Sequence, residues 1–343
     1  MKILLRLFCD GVDNMALNSA EIHIIDKCNY KCNNCSSFSN HTTMSGVDRW
    51  DDYADIYSRW HNNITNINHI RISGGEPLLN PDVNQWINGI ANLWKFSVIE
   101  IVSNGSNIFN VDGLYEILNK FDGRVSLDIH THSVVDRQLL VNKLKSGLFL
   151  SGGLTVELIE DFGGWHDVYN SIKDDGWDDC TTVHDFKKLP KHIRDECEND
   201  YHISDALYMA RNTIVIISDS NNISLKISIS DSFNETPLIY EGDTITLNDN
   251  DISSSFANCK LNTPYFYKGN IYKCKTMALL PVVVNERDVG RESVDLISSY
   301  TPLSLSNYDS CITKFKNDIM KQPIPQCKFC PNKDNASLNR KYT

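Results

Sequence analysis

Short runs of β-branched residues alternate with amphipathic stretches through the first two-thirds of the chain. EIHIID (21–26), HIRIS (69–73), VIEIV (98–102), VSLDI (125–129) and LTVELI (154–159) each have the length and the content of a strand. Between the first two, Trp50, Tyr53, Tyr57, Trp60 and Ile64 recur at three-to-four spacing, the period of one helix face. Ser45-Gly-Val-Asp48 has the form of a capping box at the start of that helix. Asn80-Pro81 opens a second helix, with Pro81 suited to its first position and Val83, Trp86, Ile87, Ile90 and Trp94 on one face. Val111, Leu114, Ile117, Leu118 and Phe121 repeat the pattern. Strands separated by helices predict βαβ units and a parallel sheet with helices outside it.

Beyond about residue 165 this rhythm fails. The stretch WHDVYNSIKDDGWDDC, whose Asp174, Asp175, Asp178 and Asp179 read as a solvated charge run, precedes a helix expected near 190–210. TIVIIS (213–218) and SLKISIS (224–230) are two more strand-like runs. From about residue 235 the sequence turns loop-rich and holds five cysteines, which marks a smaller C-terminal module. The expected division is an extension over 1–20, an α/β core over 21–235 and the cysteine-rich module over 236–343.

Composition narrows the class. At 343 residues, 41% hydrophobic and 22% charged, the chain suits a large globular domain with an appendage. Its longest apolar run, Met277 to Val284, is far short of the ~18 residues of a membrane span, and MKILLRLF, followed by Asp10 and broken by Arg6, does not read as a secretory signal. A cytoplasmic protein without a membrane partner is the expectation. A net charge of −11 argues against a dedicated nucleic-acid partner, because such binding rests on Lys and Arg displacing counterions. Eleven cysteines in so long a chain point to metal rather than to a disulfide scaffold.

Cys28, Cys32 and Cys35 form C-x3-C-x2-C directly after the first expected strand. Three thiolates on one loop can converge on a single metal centre. A tetrahedral zinc site wants a fourth ligand, and no fourth cysteine is near. An iron–sulfur cube with three cysteines keeps one iron open for a ligand. Further along, Cys259 and Cys274 give C-x9-G-x4-C around Gly269, across a stretch (265–273) with the form of a hairpin, and Cys327 and Cys330 follow as C-x2-C. Two pairs make a closed site, for which spacing alone leaves zinc and iron–sulfur open.

Together with two further elements, the first motif resembles the radical S-adenosylmethionine (SAM) superfamily over roughly residues 20–235. Ser73-Gly74-Gly75-Glu76-Pro77 at the end of the second strand matches that family's GGEP element, and Ser103-Asn104-Gly105 at the end of the third is similar to its TNG element. The resemblance implies a partial (β/α)6 TIM-like barrel. It also implies a [4Fe–4S] cluster on Cys28, Cys32 and Cys35, with SAM on the open iron. Gly74, Gly75, Glu76, Pro77, Ser103 and Asn104 would line the SAM pocket, Glu76 and its strand edge holding the amino group. Ser126, Asp128 and His130 on the fourth strand would contact the SAM ribose or the substrate. One departure is Asn34, where family members often carry an aromatic residue against the adenine.

The second motif resembles the shortened SPASM-like extension called Twitch, which implies a second [4Fe–4S] cluster on Cys259, Cys274, Cys327 and Cys330, with Cys311 as an alternative ligand. Cys9, Cys180 and Cys197 read as small buried hydrophobes, and His130 and His132, which could be metal ligands, read first as facing the barrel interior and neighbouring solvent. In such enzymes an electron, here from a flavodoxin- or ferredoxin-type donor, cleaves SAM to methionine and a 5′-deoxyadenosyl radical, which removes hydrogen from an unactivated C–H bond. The auxiliary cluster accepts an electron from the product radical or shapes the pocket. Two substrate classes follow: a small polar metabolite of sugar, cyclitol or nucleotide type, oxidised or rearranged, or a peptide side chain. The few residues before the first strand leave little room for a leader-binding domain, which favours the metabolite. The reading from another class is a zinc-stabilised binding protein without catalysis. No catalytic side chain is assigned.

Overall fold

Strand and helix alternate as the hydrophobic pattern requires. In chain order they are β1 (Ala16–His23), α1 (Trp50–Asn63), β2 (Asn66–Ser73), α2 (Val83–Leu93), β3 (Val98–Ser103), α3 (Leu114–Asn119), β4 (Val125–Thr131) and α4 (Val134–Lys145). After these come β5 (Leu154–Thr155), β6 (Thr213–Ser218), β7 (Ser224–Ile229), β8 (Ser232–Phe233), β9 (Leu238–Glu241), β10 (Thr244–Leu247), α5 (Ile252–Ala257), β11 (Tyr265–Tyr267) and β12 (Asn270–Tyr272). The last are α6 (Lys275–Val284), α7 (Arg291–Ser298), α8 (Tyr308–Lys314) and β13 (Leu338–Asn339). This computed structural model describes residues 16–32, 35–131, 134–145, 154–155, 213–218, 224–229, 232–233, 238–241, 244–259, 263–284, 289–332 and 338–339. The helix expected near 190–210, the acidic run at 174–179, Cys9, Asn34, His132, Cys180 and Cys197 lie outside the described residues.

Among the described residues one nine-stranded sheet runs in the order β12-β11-β1-β2-β3-β4-β7-β6-β5. Neighbours from β11 through β1, β2, β3 and β4 to β7 are parallel. The chain is thus a mixed α/β protein with a mostly parallel sheet. The run 154–159 was expected to continue the parallel series. Its described part, β5, instead pairs antiparallel with β6 at the far edge, and β6 is antiparallel to β7. The physical reason is length. Five residues join β6 to β7, and a parallel return needs a crossover of a dozen or more.

The two faces of the sheet differ. Ile22, Ile70, Ile72, Ile99, Ile101, Leu127, Ile129, Leu225 and Ile227 are fully buried with Tyr57, Trp60, Trp86 and Trp94 from the helical layer. Each of those three indoles donates to a carbonyl, of Gly269, Asp48 and Ile64 respectively, so all three indole N–H groups are paired. The alternate positions, Glu21, His23, Arg71, Ser73, Glu100, Asp128 and Lys226, fall on the opposite face. A parallel sheet covered by helices on both sides reads as continuous apolar runs. This one is polar on its second face.

The expected capping box does not form. α1 starts at Trp50 after Arg49, and the Trp50 N–H donates 3.2 Å to Asp82 Oδ2, a carboxylate at the head of α2 that also holds Arg49 at 2.8 Å. The cap is supplied from across the helix pair rather than from the local sequence.

The C-terminal third is less loop-like than its sequence suggests, carrying α5 to α8. α6 is buried on nearly all sides and so lacks an amphipathic signature. Its hairpin forms as expected: β11 and β12 pair around Lys268 (φ 47°) and Gly269 (φ 78°), both left-handed as a two-residue type I′ turn needs. β11 continues the main sheet beside β1. A second apolar cluster joins Phe38 and Met44, from the segment after the cysteine loop, to Tyr265, Tyr267, Leu279, Leu280, Val283 and Phe329. No helix among the described residues is long and apolar enough to cross a membrane.

Candidate active site

Three motif elements meet beyond the C-terminal ends of β1, β2 and β3. Gly75 N–H donates 2.7 Å to Ile25 O and Glu76 N–H 3.0 Å to Lys27 O, so the GGEP segment runs beside the chain entering the cysteine loop. A Cβ on Gly74 would lie 2.3 Å from Ile25 O, and one on Gly75 2.3 Å from Lys27 O. The space the glycines leave is filled by the protein's own backbone.

Glu76 is wholly buried. Its Oε1 accepts from Leu78 N–H (3.0 Å) and Ser103 Oγ–H (2.7 Å), and its Oε2 from Asn104 N–H (2.7 Å). Burial outweighs these donors and raises its carboxyl above the ordinary value. As placed, this side chain ties the ends of β2 and β3 together, and Pro77 and Leu78 are buried behind it.

Asn104 faces the cysteines. Its Nδ2 lies 3.8 Å from Cys28 Sγ and donates 3.0 Å to Asn29 Oδ1, while its Oδ1 accepts from Ser106 N–H at 2.9 Å. Asn29 Nδ2 donates 2.8 Å to Ser106 Oγ, closing an amide and hydroxyl rim around Cys28. Cys28, Cys32 and Cys35 are all half-buried. Burial and the nearness of Glu76, Cys35 and Cys32 push the Cys28 thiol up to about 11, against the Tyr30 N–H that donates to it. Lys31 Nζ closes the loop on Ser39 O at 2.9 Å.

On the fourth strand, Asp128 is buried between Arg71 Nη2 (2.9 Å) and His130 Nε2 (3.1 Å), and Ser126 pairs in register with Glu100. Burial would raise the Asp128 carboxyl. The close His130 imidazole and the charges of Lys226 and Arg71 outweigh it and hold the carboxyl well below the usual range. Lys275, from α6, reaches Glu21 at 2.5 Å, where Ser73 Oγ also donates.

The second cysteine set is assembled from three segments. The Cys327–Cys330 turn closes on itself (3.0 Å), and Ser255 Oγ and Asn250 Nδ2 both donate to Cys330 O, at 2.8 and 2.9 Å. That docks α5, which leads to Cys259, against the turn. Cys274 sits at the head of α6 and is buried. Its thiol is pushed up to about 12 and that of Cys330 well above its ordinary value, by burial first and then by the neighbouring thiols, Cys259 and Cys327 among them. Cys311, Ile312 and Ile319 are partly buried against the main core. The eight described cysteines form no disulfide. Among the described residues no three His, Cys, Asp or Glu side chains are placed to hold one metal ion directly.

Sequence reasoning missed Asn29, Ser106, Arg71, Lys226, Lys275 and the His23–Asp26 pair (2.8 Å) with Tyr265 (2.6 Å). The signal available for the strand residues was polar alternation within the β-runs.

A GTP 3′,8-cyclase from Aquifex aeolicus (strain VF5) is 24% identical to this chain over 133 residues, 37% of this chain and 39% of the relative. The match thus spans about two-fifths of that relative. Among solved structures, SuiB of Streptococcus suis bound to S-adenosylmethionine aligns with 36% of this chain and 27% of its own, at 18% identity and a TM-score of 0.29. BtrN in an open conformation aligns with 36% of this chain and 55% of its own, at 16% identity and a TM-score of 0.25. No family model matches the chain.

Proposed function

We propose that this chain is a radical SAM enzyme acting on a small polar metabolite. The observation that carries the reading is the convergence of Cys28, the GGEP segment and Asn104 at one end of a parallel sheet, the end where α/β folds gather their ligands. The sequence likeness to the GTP 3′,8-cyclase supports it. The donor set fits the implied group: three half-buried thiols on one loop, rimmed by amides and hydroxyls rather than by a fourth ligand. Cys28, Cys32 and Cys35 would hold a [4Fe–4S] cluster with SAM beside it, which would supply a 5′-deoxyadenosyl radical when reduced by a flavodoxin- or ferredoxin-type donor.

The chain's own residues do the rest. The backbone of 73–76 and 103–105, with Ser126, would hold SAM, and Glu76 fixes Ser103 and Asn104 for that task. The polar sheet face orients a substrate, which is most of what catalysis by a radical demands of the protein. We assign Cys259, Cys274, Cys327 and Cys330 to a second cluster in a Twitch-like module over 236–343, following a barrel core over 21–235. Anaerobic purification and reconstitution test the reading. Brown protein that yields 5′-deoxyadenosine from SAM and dithionite supports it; colourless protein holding zinc sinks it. Hydrogen isotope transfer from candidate metabolites and peptides into 5′-deoxyadenosine then separates the two substrate classes.

A further inference from the structure

Where β2, β3, β4 and β7 lie side by side on the polar face, the acids are sunk deeper than the bases beside them. The Asp128 side chain is 1% exposed and that of Glu100 21%, whereas Arg71 is 40%, Lys226 34% and His130 28% exposed. Arg71 uses Nε on Glu100 (3.4 Å) and Nη2 on Asp128 (2.9 Å), so its plane is fixed by two carboxylates behind it. Lys226 Nζ stands 3.8 Å from Asp128 Oδ1, an ion-pair distance but not a hydrogen bond, and that oxygen accepts none. The carboxylates hold Arg71 and Lys226 while 40% and 34% of these side chains stay exposed. A fork held in this way loses little freedom when an anion arrives. Arg71 and Lys226 balance Asp128 and Glu100, so this patch is formally neutral in a chain of net charge −11, with its cations outermost.

We infer that the substrate is anionic, its phosphate or carboxylate oxygens taken by Lys226, Arg71 and His130, with Asp128 and Glu100 as positioning residues. The inference rests on the radical reading of the same site. It places the anionic group part-way down the strands, two residues before Ser73 on β2, so that the rest of the molecule extends toward the cysteine loop.

Equilibrium dialysis of the full chain, at low ionic strength, tests this with pyrophosphate, citrate and myo-inositol as probes. Pyrophosphate or citrate is expected to bind, and whichever binds identifies the anion class. The dissociation constant should rise about tenfold or more in Lys226→Met and recover in Lys226→Arg, and added salt should weaken binding. Absence of binding by both anions, equal binding in Lys226→Met, or comparable binding of myo-inositol overturns the inference. Arg71→Gln strands two buried carboxylates and is expected to cost stability, so Lys226, with no direct hydrogen bond to Asp128, carries the decision. The two readings fail separately. Protein that holds iron and cleaves SAM but binds neither anion defeats this inference alone; protein that binds anions without holding iron defeats the radical reading.

Discussion

The two cysteine sets differ in how they are built. Cys28, Cys32 and Cys35 lie on one loop, half-buried, with a polar rim at Cys28. Cys259, Cys274, Cys327 and Cys330 come from three segments brought together by α5, the head of α6 and a turn, and Cys274 is buried. A site made by one loop can form late and keep an open side. A site made by distant segments is part of the fold and is closed by it. The first arrangement suits chemistry and the second suits structure or electron storage.

Removing one ligand from each set is the strongest way to break that comparison. Cys28→Ala should abolish 5′-deoxyadenosine formation while leaving the denaturation midpoint nearly unchanged. Cys274→Ala should lower the midpoint and, if each set holds a four-iron cluster, cut iron to about half. Iron assay and chemical denaturation on both variants decide it. Equal effects on stability would mean that the two sites are not different in kind.

Next in size are the ties that support the first site. Gly75→Ala puts a Cβ 2.3 Å from the Lys27 carbonyl oxygen, which belongs to backbone and cannot swing away. The cysteine loop must shift, and SAM affinity measured by dialysis should fall more than tenfold, about 1.4 kcal/mol. Glu76→Gln presents an amide N–H₂ to a site filled by three donors, at a cost of about 1.5–3 kcal/mol in denaturant titration.

A pH series separates the site's two buried carboxylates by sign. Asp128 is held below its ordinary 3.8, so its contribution to stability is complete above that value and is lost as pH falls below it. Asp128→Asn should therefore flatten the acid limb of the stability curve below about pH 4. Glu76 is raised above its ordinary 4.5, so the protonated form is favoured on folding and that contribution is lost as pH rises through the raised value. In Glu76→Gln this loss should disappear. Matching slopes in wild type and both variants would remove the assignment.

Much of this was legible in the sequence because it is local. The strand runs, the faces of α1 and α2, the Lys268-Gly269 turn and the C-x3-C-x2-C, GGEP and SNG elements each depend on residues a few positions apart. The polar sheet face was half-legible, since Glu21, Arg71, Glu100 and Asp128 alternate visibly with isoleucine and leucine. What stayed hidden was non-local. Asp82 caps a helix more than thirty residues away, β6 turns back on β7, and α6 buries nearly all its sides so that no period shows. Which base faces which acid across the strands also depends on register, which hydrophobic patterning sets only through the whole sheet.

The smallest expected effect lies in the second region and tests how firmly its hairpin is docked. Gly269 holds φ 78° in the β11–β12 turn, and its carbonyl accepts from the Trp60 indole of α1 at 2.9 Å. An added Cβ would meet two Ile56 methyl groups at 3.3 Å, side-chain atoms that can give way, unlike the carbonyl oxygen facing Gly75. Gly269→Ala should therefore cost only the left-handed conformation, about 1–2 kcal/mol by denaturation. Iron content should be unchanged, because the turn lies between Cys259 and Cys274 without touching the pairing of β11 with β1. A loss of iron in that variant would show that the hairpin sets the spacing of the second cysteine set, and that the C-terminal site is as sensitive to a local turn as the first is to its loop.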